Sequence, residues 1–472
     1  MSDHVNPTVR RSLAGALAQG RQRALSAGQP VLVSVASPLR DVPDIVSLWE
    51  AAAGSPYRAL WGRPAQGFWM LGLGEALSLG AGGVQQFSHA QAQHRRWMES
   101  AVIAAPAVPG AGPTWFCAFR FDPQTPADEE WRSLCASALM LPRLTFVRSV
   151  QGSWLTLNAT VQADSEVETL AAGLIKEADT YLRPSGCPGA ARPAPVELTD
   201  DAQARARWNS AVEKALGAIQ HGRLEKVVLA RRVRLRGAQP LASGAVVKKL
   251  ASDYPQCLLF AFAAGGSCFL GASPELLARL GQGQLSSTCL AGSAPRGRGA
   301  GEDEAWGQRL LTSAKDLREH SLVVQALREG LTGLCSDLRW NESPALVKLP
   351  NVQHLQTSFT GVSSPGLHVL DVVKRLHPTP AVGGVPPVAA LQAIRSLEGM
   401  DRGWYAGPIG WMDRRGEGEF GVALRCALLR GDSALLYAGA GIVAGSDRDR
   451  EWAELELKLN AVRAALALEG TP

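Results

Sequence analysis

The stretch KVVLARRVRLRG, residues 226–237, alternates apolar and charged side chains over its second half, where Val233 and Leu235 lie between arginines. A period of two is typical of a strand with one buried and one charged face. Further strand patterns occur in CLLFAFA, SCFLGA, QLSSTCLAG, FGVALRCALLRG and ALLYAGAGIV, between helix patterns over about residues 201–222, 302–331 and 447–468. Interspersed strands and helices predict an α/β (α+β) fold. The charged fraction, 19%, argues against disorder and a coiled coil.

Residues 183–199, RPSGCPGAARPAPVELT, are rich in Pro, Gly and Ala and lack periodicity, which is typical of an exposed connection. The segment divides the chain into an N-terminal half, residues 1–199, and a second region, residues 200–472. In the first half, FWMLGLGEALSL and WFCAFRFDP indicate short strands, and LTFVRSVQGSWLTLNATV predicts a hairpin turned at Gln151 and Gly152. Few ionisable groups of this half form clusters, so we expect the chemistry to lie in the second region.

The net charge and the spacing of the cysteines limit the classes of partner and the cellular compartment that we expect for this protein. The formal net charge is only +5 and the basic residues are scattered, whereas proteins that bind nucleic acid concentrate their cations. The eight cysteines lie far apart, without a CxxC pair, which is typical of reduced thiols. No export signal is evident, and the longest nearly uncharged run, residues 377–394, contains four prolines. We expect a cytoplasmic protein that binds a small molecule, with neither nucleic acid nor a membrane as partner.

Two predicted helices carry a carboxylate on the flank of an apolar stripe: Glu319 on the helix after residue 302 and Glu454 on the last helix. The ordinary interpretation is a surface ion pair one turn away, Glu319 with Lys315 and Glu454 with Lys458. Alternatively, the two helices could together hold one Mg²⁺, which takes one or two carboxylates and completes its octahedron with water and substrate oxygens. Spacing alone leaves both interpretations open.

The stretch LLYAGAGIVAG, residues 435–445, looks at first like a dinucleotide-binding loop. Its glycines are spaced GxGxxxG instead of GxGxxG, and no second strand pattern follows the next helix. We therefore do not expect a nucleotide. Glycines beside a helix N-terminus would still expose backbone N–H groups that suit a carboxylate.

Ten ordered segments of the second region carry a resemblance: KVVLAR from Lys226, FLGASPELL from Phe269, CLAGSAPRG from Cys289, LLTSAKDLREH from Leu310, NVQHLQT from Asn351, LHPTPAVGG from Leu376, RGWYAGPIGW from Arg402, EFGVALRC from Glu419, and lastly YAGAGIV and EWAELELK. Over about residues 205–472 the chain resembles the chorismate-utilising enzymes, and among them the isochorismate synthases of the menaquinone and siderophore pathways. The N-terminal half looks like the more variable half of that family. The resemblance implies one structural unit with two packed β-sheets, surrounded by helices, and the active site between the sheets.

The resemblance also implies a Mg²⁺-dependent isomerisation of chorismate to isochorismate, in which water adds at C2 and the C4 hydroxyl leaves. Lys226 matches the general base of the family, and burial beside the apolar residues 227–229 would favour its neutral amine. Glu275, in GASPELL, matches the general acid, which stays protonated if it is buried or lies near another carboxylate. The ordinary alternatives are a surface lysine at a strand end and a glutamate at the start of a helix.

By the same resemblance, Glu319 and Glu454 match the Mg²⁺ ligands, and Asp316 and Glu451 match positions that bind the ion through water. Arg425 matches the residue that holds the enolpyruvyl carboxylate, for which a fork-shaped guanidinium is suited. The remaining positions that match substrate contacts are His354, Tyr405, Gly292, Ser293, Gly439, Gly441 and Lys458. For the histidine among them, the ordinary alternative is a satisfied core residue.

Single positions separate the branches of this family. Aminating members carry glutamine where this chain has Lys226, and one aminating branch carries lysine where this chain has Ala291. No glutaminase segment is visible, so we expect water as the nucleophile and no glutaminase subunit. Salicylate synthases share Lys226, Glu275 and the Mg²⁺ ligands but then eliminate pyruvate, and they remain the alternative. A catalytically inactive chorismate-binding protein is a third possibility, which the intact set of matching residues argues against.

Overall fold

The structure, a computed structural model, describes residues 7–40, 42–132, 134, 137–183, 196–198 and 203–466. Most of the predicted connection at 183–199 and the end of the predicted terminal helix lie outside these ranges. No helix of the described residues is both long and apolar enough to cross a bilayer.

The helices flank the sheets, and their bounds are as follows: Pro7–Ala27 (α1), Ile45–Ala51 (α2), Gln86–Ser100 (α3), Val167–Leu182 (α4), Ala204–Gln220 (α5), Ser243–Asp253 (α6), Ala300–Thr312 (α7), Ala314–Leu331 (α8), Val369–Leu376 (α9), Pro387–Glu398 (α10) and Arg448–Leu466 (α11).

The strands have the following bounds: Val31–Leu39 (β1), Tyr57–Arg63 (β2), Phe68–Leu73 (β3), Leu77–Gly80 (β4), Val102–Ala104 (β5), Trp115–Phe119 (β6), Ser137–Leu141 (β7), Leu144–Ser149 (β8), Gly152–Val161 (β9), Val196–Leu198 (β10), Lys226–Gly237 (β11), Leu258–Ala264 (β12), Ser267–Ser273 (β13), Leu276–Gly281 (β14), Gln284–Pro295 (β15), Cys335–Trp340 (β16), Ala345–Lys348 (β17), Val352–Ser363 (β18), Gly384–Val385 (β19), Pro408–Met412 (β20), Gly418–Val422 (β21), Cys426–Arg430 (β22) and Ser433–Val443 (β23).

These strands form two sheets, and each sheet combines strands from before and after residue 199. The larger runs β10-β11-β23-β22-β13-β12-β2-β3-β8-β9-β1-β5, with β19 also paired to β11. The smaller runs β16-β18-β15-β14-β21-β20-β6-β7-β4, with β17 paired to β18. Aromatic side chains such as Phe116 of β6 and Phe262 of β12, whose ring centroids lie 6.1 Å apart, join the sheets in one core. This is the α+β architecture that the sequence predicts.

The helix predicted over residues 302–331 is in fact two helices, α7 and α8, and the prediction of one continuous helix is wrong. Ser313 between them has extended backbone angles, and its hydroxyl accepts a hydrogen bond from the backbone N–H of Asp316. A serine in this role is a typical N-cap, because it satisfies an N–H group that has no partner within the helix. The break places Asp316 in the first turn of α8.

The predicted hairpin at the end of the first half is confirmed, with a one-residue difference in its turn. Strands β8 and β9 pair in antiparallel fashion, and Ser149 lies opposite Gly152. The two turn residues are therefore Val150 and Gln151, whereas the sequence predicts Gln151 and Gly152. Gly152 has φ +119°, a conformation that L side chains rarely adopt, so it serves as the strand residue that closes the turn.

Candidate active site

A cleft opens where β11 and β23 of the larger sheet approach the smaller sheet and helices α8 and α11. Most residues that the sequence singles out line it: Glu275, Gly292, Ser293, Glu319, His354, Tyr405, Arg425, Gly439, Gly441, Glu454 and Lys458. Three residues that the sequence singles out are not part of this lining: Lys226, Asp316 and Glu451. They lie next to residues that line the cleft or close to them. Apolar residues that the sequence did not single out form another wall of the cleft, which includes Leu290, Ala381, Val382, Leu424 and Tyr437.

Lys226 begins β11 and lies opposite Val443 of β23. Its side chain is fully buried, and its Nζ lies 2.9 Å from Glu319 Oε1. Gly441 makes room for this pair, because a Cβ there would lie 2.3 Å from Glu319 Oε1. The two ordinary alternatives, a surface lysine and an ion pair of Glu319 with Lys315, are therefore wrong. Burial acts to raise the pKa of Glu319, but the ammonium of Lys226 holds that pKa below its usual value.

Glu275 lies between β13 and β14, where no helix starts, so the helix-start alternative is also wrong. Its backbone is fixed on both sides: its N–H donates to Ser273 Oγ at 3.2 Å, and its carbonyl accepts from the N–H of Val422 at 3.1 Å. The carboxyl group is buried, and its Oε1 has no hydrogen-bond partner among the described residues. Burial raises the pKa of Glu275 to about 8, against the opposing effect of the nearby lysines. Glu275 is therefore mostly protonated at neutral pH and can donate a proton.

Glu454 of α11 forms the ion pair with Lys458 that its spacing predicts, with 2.7 Å between Oε1 and Nζ. The pair does not lie on an open surface, since both side chains are only 24% exposed and both line the cleft. Lys458 Nζ also donates to the carbonyl of Gly439 at 2.8 Å. This places an ammonium group against β23.

Two further carboxylates adjoin the cleft. Lys315 Nζ donates to Glu451 Oε1 at 2.5 Å, and the carboxylate of Glu451 is buried. Burial and the neighbouring Glu454 raise the pKa of Glu451, and burial raises the pKa of Asp316. The pair of Lys315 and Glu451 is not predictable from helical spacing, which points from Lys315 to Glu319 on the same helix, whereas the partner lies on another helix.

The carboxylates allow a test of whether a divalent cation fits. No group of three or more His, Cys, Asp or Glu side chains among the described residues is arranged to hold a metal. Mg²⁺, however, is usually bound by one or two protein carboxylates together with waters and substrate oxygens. Glu319 and Glu454 reach one cleft from two helices, and Asp316 and Glu451 lie close behind them. This donor set suits such a sparse site.

Arg425 follows β21 in the left-handed backbone region, with φ +48°, which is uncommon for a residue with a side chain and recurs at functional sites. Its Nη2 donates to His354 Nε2 at 2.6 Å, and its Nη1 is buried without a partner among the described residues. Burial and the positive charges of Arg425 and Lys458 hold the pKa of His354 well below its usual value. His354 is therefore neutral, and since its Nε2 accepts, its proton lies on Nδ1, 3.0 Å from Ser293 Oγ.

Backbone lines the rest of the cleft. The register of β15 against β18 shifts between Leu290 and Ser293, and Gly292 within the shift has φ +83°. Such a bulge turns backbone groups out of the ladder. Gly439 lies within β23, not beside a helix N-terminus as predicted, and a Cβ there would lie 2.9 Å from the Tyr405 hydroxyl. Both glycines line the cleft, and each leaves room for a neighbouring side chain, that of Asp316 at Gly292 and that of Tyr405 at Gly439.

These features form a cleft with a protonated carboxyl group, a buried lysine, a partly unpaired guanidinium and several carboxylates. A guanidinium nitrogen without a partner suits an anionic ligand, because burying it unpaired is unfavourable. A proton donor and a candidate proton acceptor in the same cleft suit a reaction in which one hydroxyl group leaves and another is added.

The comparisons of this chain with known proteins agree with one another on one family. The profile of a family described as chorismate binding enzyme matches residues 19–467. A salicylate biosynthesis isochorismate synthase of Pseudomonas aeruginosa is 38% identical over 416 residues, which are 87% of this chain and 85% of the relative. The isochorismate synthase MenF of Bacillus subtilis is 36% identical over 360 residues, 76% of this chain and 75% of the relative.

Solved structures agree with these sequences. MenF, the menaquinone-specific isochorismate synthase from Escherichia coli, superposes with a TM-score of 0.75 at 27% identity, and the match covers 96% of this chain and all of that chain. Anthranilate synthase component I from Streptococcus pneumoniae matches with a TM-score of 0.68 at 20% identity over 84% of this chain and 92% of that chain, which shows a shared fold. The predicted fold class is thereby confirmed.

Proposed function

The chain belongs to the chorismate binding enzyme family, as its sequence segments predict, and on that basis we propose that it is an isochorismate synthase, an isomerase that converts chorismate to isochorismate. The observation that carries the proposal is the buried and protonated Glu275 in the same cleft as Glu319, whose carboxylate pairs with Lys226 just outside the lining. An acid and a base for exchanging one hydroxyl group for another are thus present together.

The reaction needs two proton transfers. Lys226, once deprotonated to its neutral amine, acts as the base and takes a proton from water while the water oxygen bonds to C2 of the ring and both ring double bonds shift. Glu275, as the acid, gives its proton to the C4 hydroxyl, which leaves as water when the C4–O bond breaks. One water enters, one leaves, and one proton passes from Glu275 to the products while another passes to Lys226, so the overall change is an isomerisation.

A second group of cleft residues is assigned to orienting the substrate. We assign the enolpyruvyl carboxylate to Arg425, whose Nη1 has no other partner, and His354 holds the guanidinium in place by accepting from its Nη2. The Nδ1 proton of His354 faces Ser293 Oγ, which fixes the imidazole in the tautomer that this contact requires. The backbone at Gly292, Gly439 and Gly441 lies close enough to border the substrate.

We further propose that the enzyme depends on Mg²⁺. Glu319 and Glu454 would hold the ion directly, and Asp316 and Glu451 would hold it through water. An ion held by these residues would supply positive charge to offset that of the ring carboxylate. A site of two carboxylates also favours binding of the ion together with a substrate that provides further oxygens.

The alternative is salicylate synthesis, in which isochorismate formation is followed by loss of pyruvate. A relative at 38% identity carries salicylate biosynthesis in its name, and this keeps the alternative in view. We also propose that the chain acts in the cytoplasm and without a glutaminase subunit, because water is its nucleophile and the cysteines of the described residues are free.

One assay tests these proposals. The protein is incubated with chorismate and MgCl₂, and the products are separated by liquid chromatography. Isochorismate alone supports the proposal, salicylate with pyruvate supports the alternative, and binding without turnover refutes both. Lys226→Ala is expected to lose turnover while keeping its fold, and so is the parent protein in excess chelator until Mg²⁺ is restored. Full activity in chelator would refute the metal assignment.

A further inference from the structure

The outer edge of β11, opposite its partner β23, is paired only at its two ends. Near its start, Lys226 lies opposite Val385 of β19. Towards its end, Leu235 lies opposite Leu198 of β10. Next to the first contact, the N–H of Val228 donates to the carbonyl of Gly383 at 2.8 Å; beyond it no described strand continues the ladder along the middle of this edge, and the other backbone groups there need other partners.

The buried side chains of Glu398 and Arg402 fill this gap. Glu398 Oε1 accepts the backbone N–H of Ala230 at 2.7 Å, and Arg402 Nη2 donates to the carbonyl of Val228 at 2.8 Å. The two side chains also form an ion pair, in which Arg402 Nε donates to Glu398 Oε2 at 2.9 Å. One acceptor and one donor thus take the place of a neighbouring strand.

The same pair also binds the segment that runs beside β11 just before β19. Arg402 Nη1 donates to the carbonyl of Val382 at 2.8 Å, and Val382 lines the cleft, as does Val228. The guanidinium also lies over the ring of Phe121, 4.2 Å from its centroid. One guanidinium therefore adds a further link between the strand that begins with Lys226 and the adjoining segment at residues 382–383.

Burying an ion pair is an energetically unfavourable way to provide hydrogen-bond partners for two backbone groups. Glu398 and Arg402 are only 2% and 3% exposed, and the desolvation of a buried pair can cancel its attraction, so such pairs are weak evidence of a stabilising role. Their planar, fork-shaped groups do fix geometry in several directions at once. The pair bonds to Val228 and Ala230, on the strand that begins with Lys226, and to Val382, and this position indicates that geometry is what it supplies.

We propose that Glu398 and Arg402 are positioning residues, which hold the strand carrying Lys226 at a fixed distance from the cleft wall at Val382. This inference rests on the proposed function, because it concerns the placement of the proposed base. Neither residue touches the substrate in this assignment; both act through the backbone of β11.

Two variants and one control test the proposal. Arg402→Lys keeps a charge beside Glu398 but cannot reach both carbonyls, and the double variant Glu398→Leu with Arg402→Met removes the pair without leaving a buried charge. The control is Asp122→Leu with Arg395→Met. This pair is also bidentate; Arg395 lies on α10 one turn before Glu398, and neither side chain is seen to bond to β11 among the described residues.

Both test variants are expected to lose kcat by about 10- to 100-fold, as small misplacements of a catalytic group do, with KM changed less than about threefold. The control should keep kcat even if its melting temperature falls. Unchanged kcat in Arg402→Lys, with isochorismate still formed by the parent, would overturn the proposal.

Hydrogen exchange measured by mass spectrometry gives a readout that does not require turnover. Peptides covering residues 226–231 should exchange faster in both test variants and not in the control. If the parent protein proves inactive on chorismate, the proposed function fails, and the exchange result still decides the positioning role. Equal exchange in variants and parent would refute it.

Discussion

Replacement of Glu275 by glutamine should abolish turnover and at the same time stabilise the protein. The side chain is 2% exposed, and burial raises its pKa from the ordinary 4.5 to about 8. In the unfolded chain the carboxyl group ionises freely, whereas the folded protein must keep it protonated or bury its charge. Glutamine has a similar shape and cannot ionise, so it removes this conflict.

The sign and size of the effect depend on pH. Because the folded-state pKa is above the unfolded value, the contribution of Glu275 to stability is fully present below pH 4.5 and is lost as the pH rises towards 8. Each pH unit in this window changes the free energy of unfolding by about 1.4 kcal/mol. Near pH 7 the parent is therefore expected to be roughly 3 kcal/mol less stable than Glu275→Gln.

The measurement is a comparison of urea denaturation and melting temperature for the parent and the variant at pH 5, 6, 7 and 8. The difference should be small at pH 5 and grow steadily to pH 8. Glu342→Gln, at an exposed position, is the control and should show no such trend. A constant difference, or a variant less stable at pH 8, would refute the protonated state of Glu275. Turnover by Glu275→Gln within tenfold of the parent would refute its role as acid, since a lost general acid typically reduces the rate by about 10²- to 10⁴-fold.

Three further changes have definite expected results. Gly441→Ala should displace the carboxylate of Glu319, because the added Cβ would lie 2.3 Å from its Oε1. Titration calorimetry should then show weaker Mg²⁺ binding in the presence of chorismate. Unchanged binding would contradict the metal site. Arg425→Lys should raise KM for chorismate by about tenfold or more, since it loses the fork that holds a carboxylate, and an unchanged KM would contradict that contact. Burial, with a further effect from His368, lowers the pKa of His94 to about 3, so His94 stays neutral in the folded protein. Between pH 6.5 and pH 5 the parent should therefore lose about 2 kcal/mol of stability relative to His94→Phe. Equal slopes of melting temperature against pH for the two proteins would refute this.

The sequence predicted most of the strands because each needs only local alternation, although it indicated FGVALRCALLRG as one strand where the structure has two, β21 and β22, in different sheets. It failed at Ser313, where one polar residue between two helical patterns ends a helix by accepting a backbone N–H. A serine followed three residues later by Asp316 is the signal that could have revealed this cap. The apolar stripe runs across the break, so its period gave no warning.

Side-chain partners across elements were the less predictable part of the site. Lys315 and Glu319 are one turn apart on α8, yet Lys315 pairs with Glu451 and Glu319 with Lys226. Helical spacing reports only neighbours on the same helix, whereas these partners come from α11 and β11. The family resemblance identified the residues of the cleft but gave no indication of Glu398. The role of Glu398 depends on a gap in a sheet, which local sequence patterns do not show.

The pairing of β11 with β23 determines when the cleft can form during synthesis. Lys226 lies opposite Val443, so the strand that bears the proposed base lacks its main neighbour until the ribosome has released residue 443. The pairing of β12 with β2, which sets Leu259 opposite Gly62, likewise waits for a long stretch of chain. Contacts so distant in sequence are slow to form and leave strand edges open meanwhile. A nascent chain of this protein is therefore expected to need protection from aggregation until almost all of it has been translated.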